Sequence, residues 1–210
     1  MTTVQSDFDS DFDARAKSWD DDPMKIERAQ SVARAMLATA RWFPGMQGLE
    51  FGCGTGQLSF GLRERFERIT LADTSVGMLE VLQQKIAALG ASNMHPVWLD
   101  ENAESLKNQR FDMIYSLMTL HHIADVDSQL AQWALGLGEG GQLCIADLDA
   151  EDGSFHDGDP SVHPGFDRVE LARRVASAGF DKIRFSTVFE IRKGTPERVY
   201  PVFLMIAEKR

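Results

Sequence analysis

Between residues 47 and 56 the chain reads Gln-Gly-Leu-Glu-Phe-Gly-Cys-Gly-Thr-Gly, and its most suggestive chemistry begins there. Gly52, Gly54 and Gly56 stand at alternate positions after a short apolar run, with Cys53 between the first two. Lacking β-carbons, glycines let backbone N–H groups come close to a bound ligand. Asp73 follows Gly52 by 21 residues, at the tip of the next apolar run, where a carboxylate can accept hydrogen bonds from ribose hydroxyls. Together these residues point to a nucleoside-containing cofactor. A dinucleotide loop needs Gly-x-Gly-x-x-Gly, whereas the spacing here is two throughout, and no Gly-Lys-Ser or Gly-Lys-Thr follows to make a P-loop. Glu50, two residues before the first glycine, would repel a pyrophosphate and suits a ligand carrying a sulfonium and an ammonium group.

These residues need a scaffold, and the apolar pattern supplies one. Gln47 to Phe51 reads as a buried strand, followed by a helix from Gln57 to Phe66, a strand from Ile69 to Asp73, and a helix capped by Ser75 that stops at Gly90. Strands over 94–99 and 112–116, a helix over 126–137 closed by Gly138 to Gly141, and a strand over 142–146 complete the alternation. Regular alternation predicts an α/β fold with a parallel sheet, right-handed crossovers and helices on both faces. Asp22 is placed to cap a helix beginning at Pro23, part of an N-terminal helical cap over 14–45. Residues 1–13, rich in Asp and Ser, read as a mobile acidic tail, and 14–210 as one domain. A long loop over 149–165 precedes a helix over 167–178 and two strands, 182–189 and 202–207, spaced as an antiparallel pair.

Composition sets bounds on partners. The 210 residues are 43% hydrophobic, no apolar run is long enough to span a bilayer, and the acidic start does not resemble a signal peptide. A cytoplasmic location is the expectation. The formal charge of −10, with no local basic block, argues against nucleic acid. Cys53 and Cys144 make neither a disulfide framework nor a metal spacing.

Four stretches in order resemble one family, the class I S-adenosylmethionine-dependent methyltransferases. They are Leu49-Glu-Phe-Gly-Cys-Gly-Thr-Gly-Gln-Leu-Ser59, Leu71-Ala-Asp-Thr-Ser-Val-Gly-Met-Leu79, Asp100-Glu-Asn-Ala103 and Phe111-Asp-Met-Ile-Tyr-Ser-Leu-Met-Thr-Leu-His-His-Ile123. The likeness covers about 47–147 and is strongest to the small-molecule group that includes ubiquinone and menaquinone biosynthesis enzymes. It implies a Rossmann-like, doubly wound, seven-stranded sheet, mostly parallel with its last strand antiparallel. It further implies that Gly52, Cys53, Gly54 and Gly56 hold the methionine part of S-adenosylmethionine and Asp73 its ribose. By the same likeness Thr74 and Met78 lie against the adenosine, Asp100, Glu101 and Asn102 meet the adenine, and the backbone at Ser116 and Leu117 touches the methionine end.

Several residues carry two readings. His121 and His122 follow the fourth strand, where one of them is a general base or substrate-orienting group, or else the pair caps the helix near Asp125. Met78 is equally a core residue, and Trp19 either closes over the cofactor or packs in the core. His156 and His163, with the acids Asp149, Glu151, Asp152, Asp157 and Asp159, lie in the 149–165 loop without any recognised metal-ligand spacing, so no metal is expected and an acidic active-site lid is. Ser116-Leu-Met-Thr119 stands where methylases of nucleobase or amide nitrogens often carry an Asn or Asp-Pro-Pro-aromatic motif. The expectation is direct in-line methyl transfer to a small or lipid-like acceptor, leaving S-adenosylhomocysteine. A non-catalytic S-adenosylmethionine-binding regulator is the alternative, and a nicotinamide oxidoreductase is disfavoured by the glycine spacing.

Overall fold

A computed structural model describes residues 11–100 and 104–210. Glu101 and Asn102, two of the expected adenine neighbours, and positions 1–10 of the expected tail lie outside the described residues. The strands are β1 (Gln47–Phe51), β2 (Arg68–Asp73), β3 (Met94–Trp98), β4 (Phe111–Leu117), β5 (Leu137–Leu148), β6 (Phe180–Lys193) and β7 (Arg198–Lys209). They form one sheet of seven strands in the order β3-β2-β1-β4-β5-β7-β6. β1 to β5 pair in parallel, and β7 lies antiparallel between β5 and β6. The expected doubly wound sheet with an antiparallel last strand is what the chain builds.

The α-helices described are α1 (Pro23–Thr39), α2 (Gln57–Leu62), α3 (Val76–Leu89), α4 (Val126–Gly136) and α5 (Arg168–Ser177). Side chains of adjacent strand residues alternate between the two faces. Cys144, Ala146, Leu204 and Ile206 pack with Val32, Leu58 and Leu82 of α1, α2 and α3. Leu143, Ile145, Phe203 and Met205 pack with Leu130, Trp133 and Leu171 of α4 and α5. Three caps form as their residue types dictate. Asp22 accepts from Met24 N, Ser75 from Met78 N, and Asp167 from Val169 and Glu170 N.

The departures from expectation have local causes. α2 ends at Leu62 and passes into a 3₁₀ turn over Arg63–Arg65 rather than running to Phe66. Gly61 brings α2 close to α1, since a β-carbon there would stand 2.9 Å from Ala33 Cβ. The glycine run over 138–141, expected to end a helix, instead belongs to β5, and the ladder to β4 shifts between Phe111 and Met113. With three glycines around Glu139 the stretch shows no apolar alternation, and it lies in strand because Leu137 and Gln142 on either side pair with β4. β6 is likewise longer than the expected 182–189, passing two register shifts against β7.

The 149–165 loop is fastened at its base rather than loosely attached. Phe166 N donates to Leu148 O at 2.9 Å and Ala150 N to Phe166 O at 3.0 Å. Gly165, at φ +68°, completes this closure because a β-carbon would collide with the Asp149 carbonyl. Gly165→Ala should therefore cost about 2 kcal/mol or more of stability, read as a lower urea midpoint; an unchanged midpoint would contradict the packing described.

Candidate active site

Strand order reverses between β1 and β4, which in an open α/β sheet opens a crevice at the carboxyl ends of those strands. The glycine loop lies there. Gly52 N and Cys53 N both donate to Ala72 O, at 2.8 and 3.1 Å, which ties the loop to β2. Asp73 tightens the tie: its Oδ2 accepts from Gly54 N at 2.7 Å and its Oδ1 from Ser75 N at 2.9 Å. The Asp73 carboxylate thus stands at the tip of β2, held against the glycine loop.

All three glycines have positive φ, yet they serve different ends. A β-carbon on Gly52 would strike Thr119, and one on Gly56 would stand 2.6 Å from Leu82 Cδ1. A β-carbon on Gly54 would meet no atom within 4 Å. Gly54 is thus the edge that faces outward beside Asp73, while Gly52 and Gly56 make room for the protein itself. Thr119 Oγ1 donates to Gly52 O at 3.3 Å, joining the loops that follow β1 and β4 across the crevice.

Glu50 sits beneath this loop at 2% exposure. Ser59 Oγ donates to its Oε2, and with that proton committed Tyr115 must donate to Ser59 Oγ across 2.6 Å. Burial pushes the Glu50 carboxyl up to about 8 despite the bond from Ser59. Glu50 therefore forms the floor of the loop as a buried acid, satisfied by the Ser59 hydroxyl. Cys53 is also buried, and burial followed by the nearby Asp73 and Glu50 charges raises its thiol well above the usual range.

An N-terminal segment covers the loop. Asp13 Oδ1 accepts from Ser75 Oγ at 2.6 Å and from Gly77 N at 2.8 Å, at the positive end of α3. Asp20, in a 3₁₀ helix over Ala16–Asp21, accepts from Thr55 Oγ1 at 2.6 Å and Lys85 Nζ at 2.7 Å. Lys85 Nζ also donates to Thr55 O at 2.8 Å, so one lysine fixes both the covering segment and the glycine loop. Residues 11–13, assigned by composition to a mobile tail, thus include an anchor. Trp19 stacks under Lys25, whose Nζ is 3.5 Å from the ring centroid, and meets Phe12 edge to face.

After β4 the chain turns through Met118, at φ +54°, into a 3₁₀ helix over Leu120–His122. His121 is buried, and its Nδ1 lies 2.6 Å from Asp147 Oδ1. Asp147 is at 0% exposure; burial opposes its charge, but His121 and the Leu148 and His121 amides outweigh this and hold its carboxyl below the usual range. An ionised Asp147 can only accept, so His121 donates from Nδ1 and presents Nε2 elsewhere. His122 and His156 lie beside it, with ring centroids 4.2 and 5.0 Å from that of His121. Burial, then the charge of a neighbouring His121, pulls His122 down to about 3 and His156 to about 4. One nitrogen of each of the three lies within 4.8 Å of the others, a grouping with metal-ligand chemistry that their spacing in the chain did not suggest. The helix near Asp125 is capped by Asp125 itself, which accepts from Ser128 N at 3.0 Å, so His121 and His122 are free of that role.

Of the other expected site residues, Thr74 accepts from Trp98 Nε1 through its carbonyl, and Met78 is 1% exposed, within the core. Asp100 follows β3, where Leu99 N donates to Asp73 O at 2.9 Å and brings the strand ends together. Ser116 and Leu117 end β4, and Ser116 Oγ is buried with no hydrogen-bond partner among the described residues. The loop acids Asp149 and Asp152 are engaged by Arg168 and Arg198. Sequence reasoning missed Asp13, Asp20 and Thr55 as site residues. Asp147 was visible at the end of the fifth strand, but its partner depends on the β4–β5 register.

Residues 49–143 match the model of a methyltransferase domain. The chain is 31% identical over 121 residues to malonyl-[acyl-carrier protein] O-methyltransferase of Serratia marcescens, a match covering 58% of this chain and 46% of that protein. It is 28% identical over 143 residues to the ubiquinone/menaquinone biosynthesis C-methyltransferase of Xanthomonas axonopodis pv. citri, covering 65% and 56% respectively. A solved DhpI–SAM–HEP complex shares the fold at a TM-score of 0.72 and 17% identity, over 100% of this chain and 99% of that one. The chain spans about half the length of the first two relatives. It has the fold of the class I methyltransferases, and residues 49–143 carry the methyltransferase-domain signature. No helix among the described residues is long and apolar enough to cross a membrane.

The buried Glu50 makes stability depend on pH with a defined sign. Its folded pKa is raised, so between the ordinary 4.5 and about 8 the unfolded carboxyl loses its proton while the folded one keeps it. Stability from this group therefore falls as pH rises through that window and levels off above it. The charged neighbours Asp73 and Lys85, and the neutral Tyr115 and Cys53, are the same in Glu50→Gln. In the ligand-free protein, the melting temperature of Glu50→Gln relative to wild type should climb from pH 5 to pH 8; a pH-independent difference would contradict the buried, protonated carboxyl.

Proposed function

We propose that the chain binds S-adenosylmethionine across the glycine loop and transfers its methyl group to a small-molecule or lipid-like acceptor. The observation that carries this reading is the outward edge at Gly54 lying directly beside the Asp73 carboxylate, a cradle that a β-carbon would fill. The site residues fit the cofactor in kind. Asp73 puts a carboxylate, an acceptor in kind for ribose hydroxyls, at the tip of β2, Asp100 and Thr74 stand at neighbouring strand ends, and the Ser116–Leu117 backbone closes the crevice from β4. Bound there, S-adenosylmethionine supplies an activated methyl group with its own leaving group.

The protein's work is then alignment and exclusion of water. The N-terminal segment, held by Asp13 and Asp20, covers the loop. His121, fixed by Asp147, is oriented to accept a proton at Nε2 from an acceptor that must lose one. His122, kept neutral by burial, lines the same rim. The acidic net charge and the names of the relatives favour a small acceptor over a nucleic acid.

Calorimetric titration tests the cofactor directly. S-adenosylmethionine or S-adenosylhomocysteine should bind and a nicotinamide dinucleotide should not; no heat with either sulfur compound would overturn the reading. Asp73→Ala should weaken that binding at least tenfold, about 1.4 kcal/mol, and an unchanged affinity would show that the ribose lies elsewhere.

A further inference from the structure

Arg28 is a buried charge that the described residues leave without a hydrogen-bond partner at Nε. It lies on α1 at 9% exposure, in the row of buried residues that includes Ala29, Val32 and Met36. Its Nε is buried without a hydrogen-bond partner, and among the described residues no hydrogen bond or ion pair engages its guanidinium. Burial lowers its pKa, and the charges acting against this through space are those of Asp147 and Asp22. Both carboxylates are already bonded elsewhere, Asp147 by His121 and Leu148 N, and Asp22 by Met24 N. A guanidinium carries five N–H donors in a planar fork, and burying it unpaired is costly unless something outside the chain completes it.

The surroundings identify what that something is. Asp147 stands at the carboxyl end of β5 and holds His121, so Arg28 projects its field onto the rim where an acceptor would sit. Two imidazoles of that rim, His122 and His156, add no fixed charge, since burial keeps them neutral at ordinary pH. A divalent cation among them would add positive charge in the field of Arg28, with Asp147 as the one buried carboxylate to offset both. An oxyanion would instead pair with Arg28 in the bidentate manner that its fork matches, with neutral imidazole N–H groups as further donors.

We propose that Arg28 binds an anionic group of the methyl acceptor, a carboxylate or a phosphate-type oxyanion, and so makes this a site for acidic small molecules. This rests on the reading of the crevice as a methyl-transfer site, and the tests separate the two. Malonate and inorganic phosphate serve as probes of the two oxyanion types, with the neutral dimethyl malonate as control.

In thermal melts of the full chain, at constant ionic strength with chloride as reference, at least one of the two oxyanions should raise the melting temperature of the wild type; the neutral ester should not. Arg28→Gln should lose that shift, with its affinity for the probe down at least tenfold by calorimetry and its affinity for S-adenosylhomocysteine within twofold of wild type. Arg28→Met, which removes an unpaired charge, should melt at or above the wild-type temperature without anions. No stabilisation of the wild type by either anion, or equal stabilisation of Arg28→Gln, would overturn the proposal. So would a marked fall in the melting temperature of Arg28→Met, which would reveal a structural partner. If S-adenosylhomocysteine fails to bind while the Arg28-dependent anion response persists, the methyl-transfer reading fails and the anion site stands; the reverse result overturns the anion site alone.

Discussion

The Asp73 carboxylate is the interaction on which the site depends. One oxygen takes the Gly54 amide and the other the Ser75 amide, so a single side chain fixes the glycine loop after β1 to the start of α3 after β2. Two neighbouring carbonyls repeat the tie from the backbone, with Ala72 O receiving Gly52 and Cys53 and Asp73 O receiving Leu99. Three adjacent strand ends are thereby held in one arrangement before any ligand arrives. Such preorganisation lets binding free energy go into alignment rather than into ordering the loop.

Around this tie the protein keeps its buried ionisable groups in two conditions. Glu50 is protonated by burial and satisfied by Ser59 and Tyr115, so it supports the loop without putting a charge in the core. Asp147 remains ionised because His121 and two backbone amides reward the charge, and that charge in turn fixes the imidazole. The same low-dielectric setting that makes an unpaired group costly makes these satisfied networks rigid. Arg28, on α1, is a buried charge whose Nε no described residue engages.

Much of this was legible in the residues. The alternation of strands and helices, the caps at Asp22 and Ser75, and the spacing from Gly52 to Asp73 each report a local rule, and local rules survive into the fold. What was hidden depended on pairings distant in the chain. Gly138 to Gly141 fall inside β5 because β4 pairs with Leu137 and Gln142 on either side of them, and the His121–Asp147 pair joins the ends of β4 and β5 through the sheet register. Asp13 looked like part of an acidic tail and Asp20 like one of several acids before Pro23, yet each finds a specific donor set more than 30 residues away. Glu50 shows the converse: its position before the glycines was correct, but spacing does not reveal that its side chain points into the core, toward Ser59.

The central claim is that a loop preset by Asp73 and covered by the N-terminal segment is the cofactor's seat. Amide hydrogen exchange with and without S-adenosylhomocysteine addresses it most directly. The account predicts added protection confined to residues 52–56, the Asp73–Ser75 turn and the covering segment from Asp13 to Asp20, with the β6–β7 hairpin unchanged. Protection that bypasses the glycine loop, or that leaves the covering segment exchanging as before, would contradict it.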